Sequence, residues 1–179
     1  MLTDPALGGF MKYMITLLAV SILGVIPLTA GASDKPVIGA IEDIILLPWD
    51  IKLAARIDTG AATSSLDVCD VKVKGQHVTF TLPERCGGRT ISKPLVNWKT
   101  IRTSKGSTER PVVIIDICMG SKIIKTHFTL NDRSGMEYPV LIGRKTLRGK
   151  FVVDVSSKNI LPPNCIGLTH EPLFDIEEK

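Results

Sequence analysis

An all-β fold, a barrel or a sandwich with one short helix, is what this sequence predicts, on three observations. Short apolar segments alternate with polar residues at period two, the signature of half-buried strands. Turn-forming residues separate these segments at short intervals. No segment carries a long apolar stripe at 3.6-residue spacing, so extended amphipathic helices are not expected.

Each element has its own reason. Residues 37–47 are rich in Ile and Leu, and Pro48-Trp49-Asp50 interrupts them as a turn before a second apolar run at 51–57. In residues 76–82, Val78, Phe80 and Leu82 fall on one face and His77, Thr79 and Thr81 on the other. Residues 95–102 read as another strand. Residues 112–118 are almost continuously apolar and β-branched, which predicts a strand buried on both faces. Gly120-Ser121 makes a tight turn, after which Ile124, Thr126, Phe128 and Leu130 alternate. Residues 138–142 and 151–155 are short strands, and only 144–148 reads as helical, for about one turn.

The 179 residues fit one domain with small extras. A hydrophobic fraction of 44% excludes a disordered chain, and the absence of heptads or solenoid periods excludes fibrous and repeat classes. The net charge of +4 comes from scattered Lys and Arg, without the concentrated stripe of a nucleic-acid binder.

The N-terminus predicts export. Lys12 precedes the apolar run 15–26, and Ala30-Gly31-Ala32 supplies an Ala-x-Ala cleavage site. The run is shorter than the roughly 20 residues of a membrane span. Residues 1–32 are therefore expected to be a signal peptide, with Met11 a natural start. A domain over 33–160 and a C-terminal tail over 161–179 follow. The mature protein is expected in the periplasm or outside the cell, without a stable membrane span.

Export makes Cys69, Cys86, Cys118 and Cys165 candidates for disulfides, and their spacing fits no zinc knuckle or CxxC redox motif. Cys69 and Cys86 flank the expected hairpin at 71–82, which would return the chain towards its start. They are the favoured pair, worth roughly 3 kcal/mol in the chain-entropy picture. Cys118–Cys165 is the second choice.

Two short motifs carry the chemistry. Ile57-Asp58-Thr59-Gly60-Ala61 follows an apolar strand and precedes Thr63-Ser64-Ser65-Leu66. Val140-Leu141-Ile142-Gly143-Arg144 comes late in the chain. An Asp-Thr-Gly alone is also an ordinary turn. Paired with two apolar residues and Gly in an all-β chain, it resembles a retropepsin-like aspartic peptidase subunit. There the aspartate loop and the apolar-apolar-Gly segment lie side by side in a small closed β-barrel.

The resemblance is closer to one bacterial family, labelled "ATP-dependent zinc protease" and retropepsin-like in fold. It rests on Ala55-Arg56-Ile57-Asp58-Thr59-Gly60-Ala61 with Thr63-Ser64, and on Ile101-Arg102-Thr103-Ser104-Lys105-Gly106. Leu130-Asn131-Asp132-Arg133 with Met136, and Pro139-Val140-Leu141-Ile142-Gly143-Arg144 with Leu147-Arg148-Gly149-Lys150-Phe151, complete it. These stretches span about 55–154, most of the mature chain. The zinc and ATP of the label have no counterpart in the residues: His-Glu-x-x-His and a phosphate-binding Gly-x-x-x-x-Gly-Lys are both missing, and His77, His127 and His170 are isolated. No metal or other cofactor is expected.

The resemblance implies that Asp58 is the catalytic carboxylate, with Thr59, Gly60, Ala61, Thr63, Ile142, Gly143 and Arg144 supporting it. Thr103, Ser104, Lys105 and Gly106, a polar hairpin tip, are the flap candidate. Two carboxylates sharing one proton can act as base and acid at once, because like charges a few ångströms apart resist double ionisation. Only one Asp-Thr-Gly is present, so a pair requires two chains about a two-fold axis. Ala62 stands where viral enzymes usually carry an acid, which leaves Arg144 to find another partner. Relatives occur alongside ligases that attach glutamate, which implies peptide or glutamyl-peptide substrates. The expectation is an aspartic-type peptide hydrolase acting as a homodimer; the alternative is a non-catalytic binding protein of this fold in an envelope complex.

Overall fold

The computed structural model describes residues 35–103 and 106–165. The expected signal peptide and most of the expected tail lie outside these residues. The chain forms β1 (Val37–Ile38), β2 (Ile41–Leu47), β3 (Ile51–Asp58), β4 (Ser64–Asp67), β5 (Cys69–Lys74) and β6 (His77–Thr81). A 3-10 turn at Glu84–Cys86 leads to β7 (Thr90–Pro94), β8 (Asn97–Thr103), β9 (Gly106–Met119), β10 (Lys122–Asn131) and β11 (Val140–Gly143). The short helix α1 (Arg144–Leu147) and β12 (Val152–Val153) follow.

The fold is the expected small β-barrel with one short helix. Six strands run in the order β10-β4-β11-β3-β2-β9, and β9 pairs back onto β10 to close the ring. Alternation decides which residues fill it. Leu53, Ala55 and Ile57 of β3 are buried, as are Ile115 and Ile117 of β9 and Phe128 and Leu130 of β10. Full burial of side chains such as Phe128 contributes about 1.5–3 kcal/mol each. β5, β6 and β7 form a separate antiparallel sheet, whose Val78, Phe80 and Ile91 join the same core.

The expected strand over 37–47 is broken. Gly39 and Ala40 leave the strand path so that β1 pairs in parallel with β12, while β2 enters the barrel against β3. The residues Cys69–Lys74 and Thr90–Pro94 are also strands; Lys, Asp and Ser on their exposed positions hide the alternation.

The C-terminal segment does not peel away at residue 160. Asn159 N donates to Ile41 O at 2.8 Å, and Asn164 N donates to Gly120 O at 2.7 Å. Glu42, fully buried, accepts from the backbone N–H groups of Gly39, Ile160 and Leu161 at 2.6, 3.2 and 3.2 Å. Buried carboxylates need such donors, and here they fasten the segment across β2. Gly120 takes φ 56° in the β9–β10 turn, and a Cβ there would lie 2.5 Å from the Leu161 side chain.

The disulfide expectation is corrected. The bridge joins Cys118 to Cys165 and further ties the same segment to β9, while Cys69 and Cys86 are free thiols. Strand register explains the difference. Cys69 pairs with Thr81 at the exposed end of β5, whereas Cys86, the last residue of the 3-10 turn, is buried. Burial raises the Cys86 thiol above its ordinary pKa, so it rests as a protonated apolar group.

Candidate active site

β11 lies between β3 and β4 in the sheet, parallel to β3 and antiparallel to β4. The chain leaving β3 must therefore cross the end of β11 to reach β4. The crossing is the loop 59–63, which starts at Asp58, directly opposite Gly143 in the β3–β11 register. The two motifs thus meet at one sheet end. Gly143 is required there by close approach: a Cβ would lie 2.7 to 2.9 Å from the Thr63 backbone.

The loop is held from several directions. Asp58 Oδ1 accepts from the backbone N–H of Gly60 at 2.8 Å and of Ala61 at 3.0 Å. Among the described residues, Oδ2 receives no hydrogen bond. Arg144 N donates to Ala61 O at 2.9 Å, and Lys145 N donates to Ala62 O at 3.2 Å. Gly143 N donates to Ser64 Oγ at 3.1 Å, and the Ser64 and Thr146 hydroxyls are 2.9 Å apart. Helix α1 is thereby docked on the loop through its first turn.

Arg144, left without an acid by Ala62, caps the loop instead. Its Nη1 donates to Thr59 O at 2.8 Å and to Gly60 O at 2.6 Å. One cation thus holds two successive carbonyls of the loop. Thr59 and Gly60 are exposed, and Thr59 Oγ1 makes no hydrogen bond among the described residues. Ile142 stands apart from these. It is fully buried, paired with Ile57, and supports the loop only through the core.

The flap candidate is the tip of the β8–β9 hairpin, where Thr103 pairs with Gly106. Ser104 and Lys105 lie outside the described residues. Lower on the hairpin, Lys99 Nζ donates to Thr63 Oγ1, which fastens β8 to the aspartate loop. Burial and the nearby charge of Lys145 hold the Lys99 ammonium below the ordinary lysine pKa. A cavity of about 290 Å³ opens beside the loop, lined by Ala62, Arg144, Lys145 and Arg148. Lys99, Lys145 and Arg148 were not among the expected site residues, although Arg148 lies in one of the stretches that carry the resemblance. The signal for the last two was available, since both follow the Ile142-Gly143-Arg144 motif closely in sequence and line the same cavity as Arg144.

Asp132 and Arg133 belong to a different corner. Arg133 N donates to Asp67 Oδ1 at 2.6 Å, and the Arg133 guanidinium lies 3.4 Å from Tyr138 O. Among the described residues, no group of three or more His, Cys, Asp or Glu side chains is arranged to hold a metal ion.

The model of a family described as RimB-like, retropepsin-like aspartic endopeptidase RimB, matches residues 37–164. A probable alpha-L-glutamate ligase of Shewanella pealeana is 31% identical over 113 residues, which cover 58% of this chain and 25% of the ligase. One of Desulfotalea psychrophila is 28% identical over 111 residues, covering 57% of this chain and 24% of the ligase. The chain thus spans about a quarter of the length of the curated relatives it matches. Among solved structures, Lpg0085 of Legionella pneumophila, a protein of unknown function, superposes with a TM-score of 0.63 at 25% identity, covering 70% of this chain and 98% of that one.

Proposed function

We propose, because the chain belongs to the RimB-like family of retropepsin-like aspartic endopeptidases, that it is a periplasmic aspartic hydrolase cutting peptide bonds of glutamyl-rich substrates as a homodimer. The observation that carries this reading is the state of Asp58. One oxygen is fixed by two N–H groups of its own loop and the other accepts no hydrogen bond among the described residues, while a cavity at Ala62, further along the same loop, is rimmed by Arg144, Lys145 and Arg148.

Two subunits would each bring one Asp58 to a shared axis. The ionised carboxylate takes a proton from a water molecule as its oxygen attacks the peptide carbonyl carbon. The protonated one gives its proton to the carbonyl oxygen. The tetrahedral diol then collapses: the first carboxyl group returns its proton to the amide nitrogen, the C–N bond breaks, one diol hydroxyl gives its proton back to the second carboxylate, and an acid and an amine are released with the shared proton restored. In such a dimer the exposed Thr59 hydroxyl would be free to hydrogen-bond with the partner loop. Cations around the opening favour an acidic chain. The similarity to probable alpha-L-glutamate ligases supports glutamate in particular, since a ligase that forms a glutamyl amide and a hydrolase that cuts one share that bond. The Cys118–Cys165 bridge suits an oxidising compartment.

The test is hydrolysis of an α-linked glutamyl peptide by wild type and by D58N, with light scattering and pepstatin binding on the same samples. The reading expects a dimer, pepstatin binding and product from wild type alone. A monomer that cuts nothing and binds no pepstatin would instead favour a binding protein of this fold.

A further inference from the structure

Gly143 ends β11, and its two flanks are held differently. Towards β3 the ladder runs to the last residue, with Gly143 opposite Asp58. Towards β4 the pairing runs only to Leu141, opposite Ser65. Ser64, where the aspartate loop enters β4, is one residue earlier. The Gly143 N–H is met there by the Ser64 hydroxyl, at 3.1 Å, rather than by a backbone carbonyl. The same hydroxyl lies 2.9 Å from that of Thr146 on α1.

Ser64 and Thr146 are both buried. Alanine or valine would fill these places without the desolvation that a buried hydroxyl costs, so the hydroxyls are explained by what they hold. They bring both ends of the loop to one point. Asp58 at its start faces Gly143 in the ladder, and Ser64 after its end binds Gly143 N and α1. Ser64 is itself fixed from β10, where Thr129 Oγ1 donates to Ser64 O at 3.1 Å. Between the ends, α1 holds the loop through Arg144 N on Ala61 O and Lys145 N on Ala62 O. A helix of four residues without a side-chain cap has little stability of its own, so its position depends on such contacts.

We propose that Ser64 and Thr146 are positioning residues of the active site, whose paired hydroxyls set where α1 sits and, through α1 and Gly143, where the loop carries the Asp58 carboxylate. The inference rests on the reading of Asp58 as the catalytic carboxylate and adds two residues that act through the loop, without touching substrate. Valine at 146 keeps the shape and burial of threonine but breaks the bond to Ser64; serine keeps the bond. Alanine at 64 removes that bond and leaves the Gly143 N–H without its acceptor. Where one carboxylate from each of two chains must meet, a displacement of the loop enters twice.

The experiment compares wild type with T146V, S64A and T146S. T126V is the matched control, a buried threonine of β10 whose hydroxyl donates to Ile124 O of its own strand. Two quantities are measured: hydrolysis of the α-linked glutamyl peptide, and amide hydrogen exchange at Gly60, Ala61, Arg144 and Lys145, whose N–H groups build and dock the loop. T146V and S64A lower kcat about tenfold to a hundredfold at nearly unchanged KM, as when reacting groups are misplaced by about 1 Å. Exchange at the four amides quickens more than in β9 and β10. T146S recovers both quantities, and T126V leaves the four amides and kcat as in wild type. If S64A fails to fold, T146V and T146S decide. The proposal is overturned by unchanged exchange at the four amides in T146V, by quickening spread equally over the barrel, by T146S no better than T146V, by an equal effect of T126V, or by an active wild type whose kcat T146V leaves unchanged. Local quickening in T146V that T146S rescues, without hydrolysis by wild type, would leave the placing of the loop standing and reject hydrolysis alone.

Discussion

Asp58 ends β3 and Asp67 ends β4, with β11 between the two strands. Asp67 is 1% exposed, and both of its oxygens are engaged. Oδ2 accepts from Arg85 Nη2 at 2.5 Å and Oδ1 from Arg133 N at 2.6 Å. Arg85 also reaches the carbonyls of Arg133 and Met136, at 3.1 and 3.3 Å. That carboxylate is a fastener, joining the 3-10 turn to the loop before β11. Asp58 is partly exposed, holds only backbone donors of its own loop, and keeps one oxygen open. Two carboxylates at equivalent strand ends have thus been given opposite environments. A structural acid is saturated; an acid held in place but unspent is available for chemistry.

Substitution should separate the two roles cleanly. D58N is expected to lose turnover by about 10² to 10⁴-fold, the range of a lost general acid or base, with the unfolding midpoint nearly unchanged. D67A should do the reverse. It leaves the Arg133 N–H without its acceptor, at a cost of about 1–3 kcal/mol in denaturant unfolding, while the folded fraction keeps its activity. Equal effects of both variants on stability would erase the contrast.

G143A tests the support of the Asp58 corner from beneath. The added methyl meets Thr63 backbone rather than a movable side chain, so the loop must shift. A loss of about 1–3 kcal/mol is expected, and activity should fall further than stability accounts for.

K99M gives the smallest effect and has a definite sign. The folded state holds the Lys99 ammonium below its ordinary pKa, so the charged form opposes folding at neutral pH. That opposition is relieved as pH rises through the folded pKa. K99M should therefore be slightly more stable than wild type at pH 7, and the difference should shrink in the alkaline range. A thermal melt series across pH measures it.

The barrel was legible because β-branched alternation and tight turns survive in the residues themselves, as Val78-Thr79-Phe80 and Ile124 to Leu130 show. Asp58 opposite Gly143 was legible through the resemblance of two spaced motifs, and the register places them together. Other features depend on where distant strands land. Nothing local marks Glu42 as the buried anchor of residues 160 and 161, because its donors are backbone groups far along the chain. The pairing of Cys118 with Cys165 follows from that same crossing, which no spacing rule encodes. Ser64 and Thr146 look like ordinary hydroxyl residues until the fold sets them 2.9 Å apart.

The central claim is that one active site is built from two Asp58 carboxylates. Wild type and D58N should be unfolded together, refolded at a series of ratios and assayed on the α-linked glutamyl peptide at constant total protein. If mixed dimers are inactive, activity follows the square of the wild-type fraction, and an equal mixture retains about one quarter of full activity. A straight line, with about one half retained at the equal mixture, would mean that each chain works alone and would contradict the account.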